Sequence, residues 1–444
     1  MSIAMKRYRY LIPLGIIFLW VLIYYWTYRV ISINIWDKWE VTVDYFNIEN
    51  TIDLFDITQT HEIKILMTEK DYVDMINNYA KTLKKDRYKT DVVIDGVTIY
   101  GVGIRLKGNR VLQQIEWNKL WTKSIINYNK KLPLLIKFNK YINQTYEWHE
   151  MIALRVGREE ETTLLAEPYG YKLYQQVWQP APCISHGLVK INWKDVWLFI
   201  ISELPEDKYY IQKRFWNDDG VLYKAWNYAY FGYLWEDPIL YADYFTQKTK
   251  IKDLDLSPLI RMLKFISESD DEEFKEKIGE YIDIKSVLTN LAIDDFLCNL
   301  DSFWWNWSNF YLYYNLWEKK FYILTWDQDL AIRRSCIRWS LNRDPTNWML
   351  SDSLKSSWSV LLSWRKENIL KWRLLSVPEF KTMYNEIYKE VEKIAVDSNF
   401  TQDFLDEWND VFPSYYRKYW LKISVNYRQE IYRLRNYIDT KKPM

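Results

Sequence analysis

Glycine is the residue this chain has least of relative to expectation. There are 11 in 444 residues, where an average frequency of about 7% would give about 31. No G-x-G-x-x-G turn leads into a helix and no Walker A loop is present, which argues against nucleotide folds built on those turns. Cysteine is also sparse. Cys183, Cys298 and Cys336 are far apart and form no C-x-x-C pair, which argues against a disulfide scaffold and a cysteine-rich zinc site. The three histidines, His61, His149 and His186, are too scattered for a histidine metal site, so any metal is expected to be a hard cation held by oxygen. Neither sign of charge is in excess: 60 Lys+Arg against 59 Asp+Glu leave a net +1. That implies no bulk attraction to nucleic acid, and no nucleic-acid partner is expected.

What is present is globular. Apolar residues make up 49% and charged residues 27%, which excludes a disordered chain. The length allows one large domain or two moderate ones. One long hydrophobic run occurs, YLIPLGIIFLWVLIYYW at 10–26, preceded by Lys6, Arg7 and Arg9 and followed by Arg29. It is at the short end for a spanning helix, and the cationic flank favours a cytoplasmic N-terminus. No small-x-small cleavage site follows. The expectation is an uncleaved signal anchor within 1–29, a juxtamembrane connector at 30–60, and a domain at 61–444 outside the cytoplasm, held to the membrane by one helix.

Within that domain the patterning changes near residue 250. HEIKILMT (61–68) alternates like a strand, and EKDYVDMINNYAKTLKK (69–85) has helical spacing. DVVIDGVTIYGVGIRLKG (91–108) reads as two strands around Asp95-Gly96, a strong hairpin signal. KLPLLIKF, HGLVKIN, VWLFIISE and GVLYKA are further strands. TTLLAEPYGYKLYQQV (162–177) is a helix expected to start late because of Pro168. After residue 250 come three amphipathic helices, the strands NFYLYYN and KFYILTW, and then helices to the end. A strand-rich part (61–250) followed by a helix-rich part (251–444) is α+β.

The segment richest in chemistry is NLDSFWWNWSNFYLYYNLWEKKFYILTWDQDLAI (299–332). Asp301 ends a helix, Asn306 and Asn309 follow, and a hairpin leads to Asp327 and Asp329. Acidic groups and amides therefore stand at the two ends of one hairpin. Oxygen donors of this kind suit Mg²⁺ bound jointly by protein and nucleotide phosphates. Protein kinases use an Asp for the attacking hydroxyl, an Asn a few residues later for metal, and a second Asp for the phosphate-bridging metal. The spacing Asp301-x4-Asn306, with Asp327 beyond, fits that plan. Asp and Asn also cap helices and end strands, so a purely structural reading of the same residues stands beside it.

At these residues the chain resembles the spore coat protein H (CotH) kinase family. The resemblance spans roughly 61–400. It is carried by VGIRLKGN (102–109), KLPLLIKF, the helix around Glu167, APCISHGLVKINWKDVWLFIISE (181–203), GVLYKA, the active-site hairpin, and LKWRLLSVPEF (370–380). It implies an atypical protein-kinase-like fold that moves the γ-phosphate of ATP, with Mg²⁺, to Ser or Thr of an envelope or exported protein. By position, Asp301 would be the catalytic Asp and Asp327 the principal Mg²⁺ ligand. Asn309 or Asn306 would assist, and Asp329 would stand behind them. Arg105 and Lys107 would face the nucleotide phosphates, Lys131 or Lys137 would share that role, and Glu203 would position a lysine. An inactive pseudokinase and, on the aromatics alone, a carbohydrate-binding envelope module are the competing readings. The substrate and the oligomeric state are not readable.

The shortage of glycine has a counterpart in 25 tryptophans, where about 1% would give about 5. The combined total is ordinary and the division inverted. Asn192-Trp193 stands where a two-residue hairpin wants Asn-Gly. Trp148, Trp178, Trp216 and Trp372 occupy loop or helix-end positions suited to glycine, and the family resemblance implies a glycine at Trp197. Trp348, Trp358 and Trp364 lie among Ser, Asn and charged residues. The expectation is that many tryptophans are UGA codons read as glycine in the source organism, with Trp326 genuine. The alternative is a truly tryptophan-rich protein.

Overall fold

The computed structural model describes residues 45–59, 61–117, 131–156, 164–191, 195–226, 229–299, 301–332, 368–397, 399–419 and 426–441. The expected anchor, the Asn192-Trp193 turn, Trp348, Trp358 and Trp364 lie outside them. Among the described residues no helix is long and apolar enough to cross a membrane.

Alternating burial builds the first half. β2 (His61–Ile65) buries every second residue, as half-buried strands do. It pairs antiparallel with β3 (Tyr88–Ile94), which turns into β4 (Val97–Leu106). The turn is Asp95-Gly96, with φ of 46° and 87°, both in the left-handed region as a tight hairpin requires. Asp95 is fixed there by the His61 ring (2.7 Å) and by the Glu62 amide, which donates to it at 2.6 Å. Between β2 and β3 lies α1 (Glu69–Thr82), capped by Thr68, whose hydroxyl accepts from the Asp71 amide. β4 pairs with β5 (Leu134–Lys137), and β5 with β7 (Met151–Arg155). With β8 (Ile184–Ile191) and β9 (Asp195–Ser202), these strands close into a barrel in the order β2-β3-β4-β5-β7-β9-β8.

The described residues of the expected connector at 30–60 include a strand. Phe46–Ile48 forms β1, which pairs in parallel with β6 (Gln144–Tyr146). Leu54 and Ile57 are buried. Strands of three residues leave no alternation to read, so the sequence pattern did not reveal them. A short helix, α2 (Arg110–Trp117), was also not expected.

A second sheet carries the hairpin of interest. Its order is β11-β10-β12-β13, with β10 at Val221–Ala225, β11 at Phe245–Gln247, β12 at Phe310–Asn315 and β13 at Lys320–Thr325. All three pairings are antiparallel. The helices packed with it include α3 (Ala166–Gln176), in which Pro168 falls within the first turn, where its missing N–H costs nothing. α4 is Lys208–Phe215, α5 Ser257–Glu268 and α6 Asp271–Lys277. α7 (Ile284–Leu297) is buried nearly all round, the mark of a central helix. A one-turn helix, α8 (Phe303–Asn306), precedes β12. The C-terminal helices are α9 (Ile369–Ser376), α10 (Pro378–Val396), α11 (Phe400–Tyr419) and α12 (Asn426–Asp439).

The chain is thus α+β, strand-rich first and helix-rich later. By contacts it divides into two compact units: 45–54, His61–Arg155 and Gly187–Trp197 in one, and 55–59, Val156–His186 and the residues from Leu198 onward in the other. The sheet β11-β10-β12-β13 and helices α3–α12 belong to the second unit.

The expected glycine-like tryptophans separate in the structure. Trp148, Trp178 and Trp216 have φ of 70°, 60° and 59°. Trp197 lies within β9 and Trp372 within α9, where the backbone does not call for glycine. Trp326 is buried.

Candidate functional site

The site is built on the β12–β13 hairpin. The two strands run in register from Phe310↔Thr325 to Asn315↔Lys320, so residues just before β12 and just after β13 come together. Asn309 fastens them. Its side-chain amide donates to the Asp301 carbonyl at 3.0 Å, and its own carbonyl accepts the Trp326 amide at 3.1 Å. Asn309 has φ 55° and Asp327 φ 60°. Asn and Asp tolerate that region better than other side chains, and backbone of this kind gathers at functional sites. The Asp327 amide donates to the Tyr171 hydroxyl of α3 at 2.9 Å. Asp301, Asp327 and Asp329 are all half-buried, which leaves carboxylates some access to a ligand.

Beneath the hairpin ends lies a row of buried amides and one carboxylate. Asn299 Oδ1 accepts the Asp301 amide at 3.2 Å, and Asn299 Nδ2 donates to Gln328 Oε1 at 2.8 Å. Gln328 Nε2 donates to Asp294 Oδ1 at 3.0 Å and to Thr325 Oγ1 at 2.6 Å. Asn299, Gln328 and Asp294 are buried. Burial raises the Asp294 carboxyl from 3.8 to about 7, against the hydrogen bonds from Gln328, Tyr174 and Ser302, which pull it down.

A second buried pair stands close by. Lys371 of α9 meets Asp295 at 3.1 Å, both essentially out of solvent. Tyr384 donates to the same carboxylate at 2.8 Å, and the Lys371 ammonium lies 4.4 Å from the Trp305 ring centroid. A pair satisfied in this way fixes α9 against the end of α7. Removing one partner would strand a buried charge.

The remaining sequence candidates are placed as follows. Arg105 and Lys107 are half-buried at the end of β4, and Lys137 is half-buried on β5. Arg105 opposes Leu135 and Gly103 opposes Lys137, so alternation puts the three cations on one face of the strand pair. Lys131 precedes β5, and burial draws its ammonium down to about 7. These four belong to the first unit, and Asp301, Asn309, Asp327 and Asp329 to the second. Asn306 closes α8; Asn309 is the amide seen to link both hairpin ends. Glu203 is fully buried, and Arg214 is among its partners. Arg214 of α4 reaches its carboxylate at 2.5 Å, and the Cys183 amide donates to the same oxygen at 2.6 Å. The guanidinium also lies 3.7 Å from the Tyr210 ring centroid and donates to the Ala181 carbonyl. Burial works against the Arg214 charge, and the Glu203 carboxylate beside it more than offsets this, so the guanidinium stays protonated.

Sequence reasoning missed Arg214, Tyr171, Asn299, Gln328 and Asp294. A signal did exist for Gln328, an amide held between two acidic residues in WDQD.

Among the described residues no three His, Cys, Asp or Glu side chains are grouped to hold a metal by themselves. The hairpin ends carry the Asp301, Asp327 and Asp329 carboxylates and the Asn309 amide, whose oxygens are of the kind that suits a hard cation completed by phosphate oxygens. With this geometry in view, comparison with known families matches residues 104–443 to CotH kinase protein. The chain belongs to the CotH kinase family. No curated protein matches it.

Proposed function

We propose that this chain is a protein kinase of the CotH type, transferring the γ-phosphate of ATP to a Ser or Thr hydroxyl of an envelope or exported protein. The observation that carries the reading is the Asn309 clasp, which joins the Asp301 and Asp327 ends of one hairpin. An atypical kinase-like fold and a single N-terminal membrane anchor belong to the same proposal.

Asp301 would orient the acceptor hydroxyl and take its proton as the new O–P bond forms and the bond to the β-phosphate oxygen breaks. Asp327, with Asn309, would hold Mg²⁺. The ion supplies charge neutralisation across the phosphates. Asp329 would support that group. The family resemblance assigns Arg105 and Lys107, with Lys131 or Lys137, to phosphate oxygens, for which Arg is suited by its bidentate geometry. Lys131, with its pKa near 7, would stay charged beside a polyphosphate, because the anion raises it again. Glu203 serves through Arg214, holding α4 to the chain around Cys183.

The test is transfer of label from γ-labelled ATP in Mg²⁺, with the modified residue identified. Labelled phosphoserine or phosphothreonine that disappears in Asp327→Ala supports the reading. Nucleotide binding without transfer would favour an inactive structural relative.

A further inference from the structure

We propose that Asn299, Gln328 and Asp294 act as a positioning relay that holds the two acidic ends of the hairpin in register. The proposal rests on the phosphoryl-transfer reading. The hydrogen bonds run without a gap from the Asp301 amide to Asn299, to Gln328, and on to Asp294 of α7. Gln328 sits between Asp327 and Asp329, so its side chain anchors the backbone that carries both. A Leu at 328 could neither accept from Asn299 nor donate to Asp294 or Thr325. Buried amides that each satisfy two neighbours fix one arrangement, because every alternative leaves a polar group unpaired. The three are positioning residues; none is placed to touch substrate.

Gln328→Leu is expected to lower kcat about tenfold or more, equivalent to about 1.4 kcal/mol, with KM for ATP changed by less than about twofold. Asn299→Ala leaves the Gln328–Asp294 bond in place and serves as the gentler variant. In a double-mutant cycle, adding Asn299→Ala to Gln328→Leu should cost much less than Asn299→Ala alone. Additive losses, or unchanged kcat in both single variants, would overturn the relay. Stabilisation of the wild-type chain by Mg²⁺–ATP, read as a rise in Tm, separates the two levels. Its absence together with absence of transfer sinks the kinase reading and the relay with it. Its presence with an intact kcat in the variants sinks the relay alone.

A different observation carries a second inference. We infer that Trp148, Trp178, Trp216 and Trp307 are glycine in the protein made by its own organism. Fourteen described non-glycine residues have positive φ, and these four are among them, at 70°, 60°, 59° and 51°. For a bulky side chain that conformation is an outlier. Trp216 ends α4 in the left-handed region, and its amide donates to the Gln212 carbonyl. Trp178 follows α3 and donates to Gln175. Trp307 ends α8. Three helix ends therefore carry tryptophan in the conformation that normally selects glycine. Trp148 is the second residue of a two-residue turn in which Tyr146 and His149 exchange backbone hydrogen bonds, the position that wants glycine most. Trp178 and Trp216 are 94% and 88% exposed, so their indoles are scarcely packed.

The test is to read the codons in the gene and to weigh the peptides in protein from the native source. UGA at 148, 178, 216 and 307, UGG at 304, 326 and 408, and glycine masses at the first set support the inference. UGG at the first set, or tryptophan masses there, overturns it.

Discussion

Trp304, Trp326 and Trp408 are buried with partners, whereas Trp178 and Trp216 project into solvent from left-handed backbone. Trp304 donates its indole N–H to Asn290 at 2.8 Å. Trp326 meets the edge of Tyr311, and Trp408 packs against His186 and Phe404. In these cases a large side chain fills space and its ring finds a neighbour. At Trp178 and Trp216 the backbone conformation is the demanding feature, and the side chain is incidental to it. The same contrast appears in two turns of one unit. Asp95-Gly96 and Glu147-Trp148 both place two successive residues at positive φ, and only the first has glycine where the turn asks for it. A residue's environment thus separates tryptophans that build the core from tryptophans that occupy glycine's place. The β12–β13 hairpin ends in a tryptophan of the first kind, Trp326, whose ring meets Tyr311 of β12.

Substitutions can break this division. The largest effect is expected at Trp408→Ala, which empties a buried aromatic site and should cost about 3–5 kcal/mol. Urea unfolding measures it, and a loss below about 1 kcal/mol would put Trp408 with the surface group. Burial has a titratable counterpart in Asp294. Its folded pKa of about 7 lies above the ordinary 3.8, so the folded state holds this proton more tightly. Its contribution to stability is fully present below about pH 4 and is lost as the pH rises through 7. Asp294→Asn should flatten that part of the stability–pH curve, and an unchanged slope would contradict the burial argument. At the glycine-like positions the sign reverses. Trp148→Gly and Trp216→Gly should each stabilise by about 1 kcal/mol by relieving left-handed strain, seen as a rise in Tm. A fall would show that the indoles hold the fold. The smallest effect sharpens the boundary: Trp372 is half exposed but lies inside α9. Trp372→Gly should therefore destabilise, by roughly 0.5 kcal/mol from helix propensity. A gain there would mean that exposure, and not backbone conformation, sorts the tryptophans.

Much of the fold was legible because the signals are local. Asp95-Gly96 marks its hairpin, the alternation in HEIKI marks β2, and helical spacing marks α1, α5 and α10; α7, expected to be amphipathic, is instead buried nearly all round. The hairpin of the site was legible too, since two strand patterns flank a short turn between acidic ends. What stayed hidden depends on long-range pairing. β1 and β6 are three residues each and become strands only because they meet. Glu203 finds Arg214 through the path of α4, which no spacing rule encodes. Asn299 and Gln328 look like ordinary loop amides until burial makes each of their bonds matter.

The most direct measurement is single-turnover transfer from Mg²⁺–ATP, with nucleotide binding followed in the same samples, for the wild-type chain, Asp301→Asn and Asp327→Asn. If the two ends of the hairpin divide the work, transfer falls by about a thousandfold or more in both variants, roughly 4 kcal/mol. Asp301→Asn should keep Mg²⁺–ATP binding and Asp327→Asn should lose it. Transfer that survives in Asp301→Asn, or binding of Mg²⁺–ATP that is indifferent to Asp327, would contradict the assignment of this hairpin as the phosphoryl-transfer site.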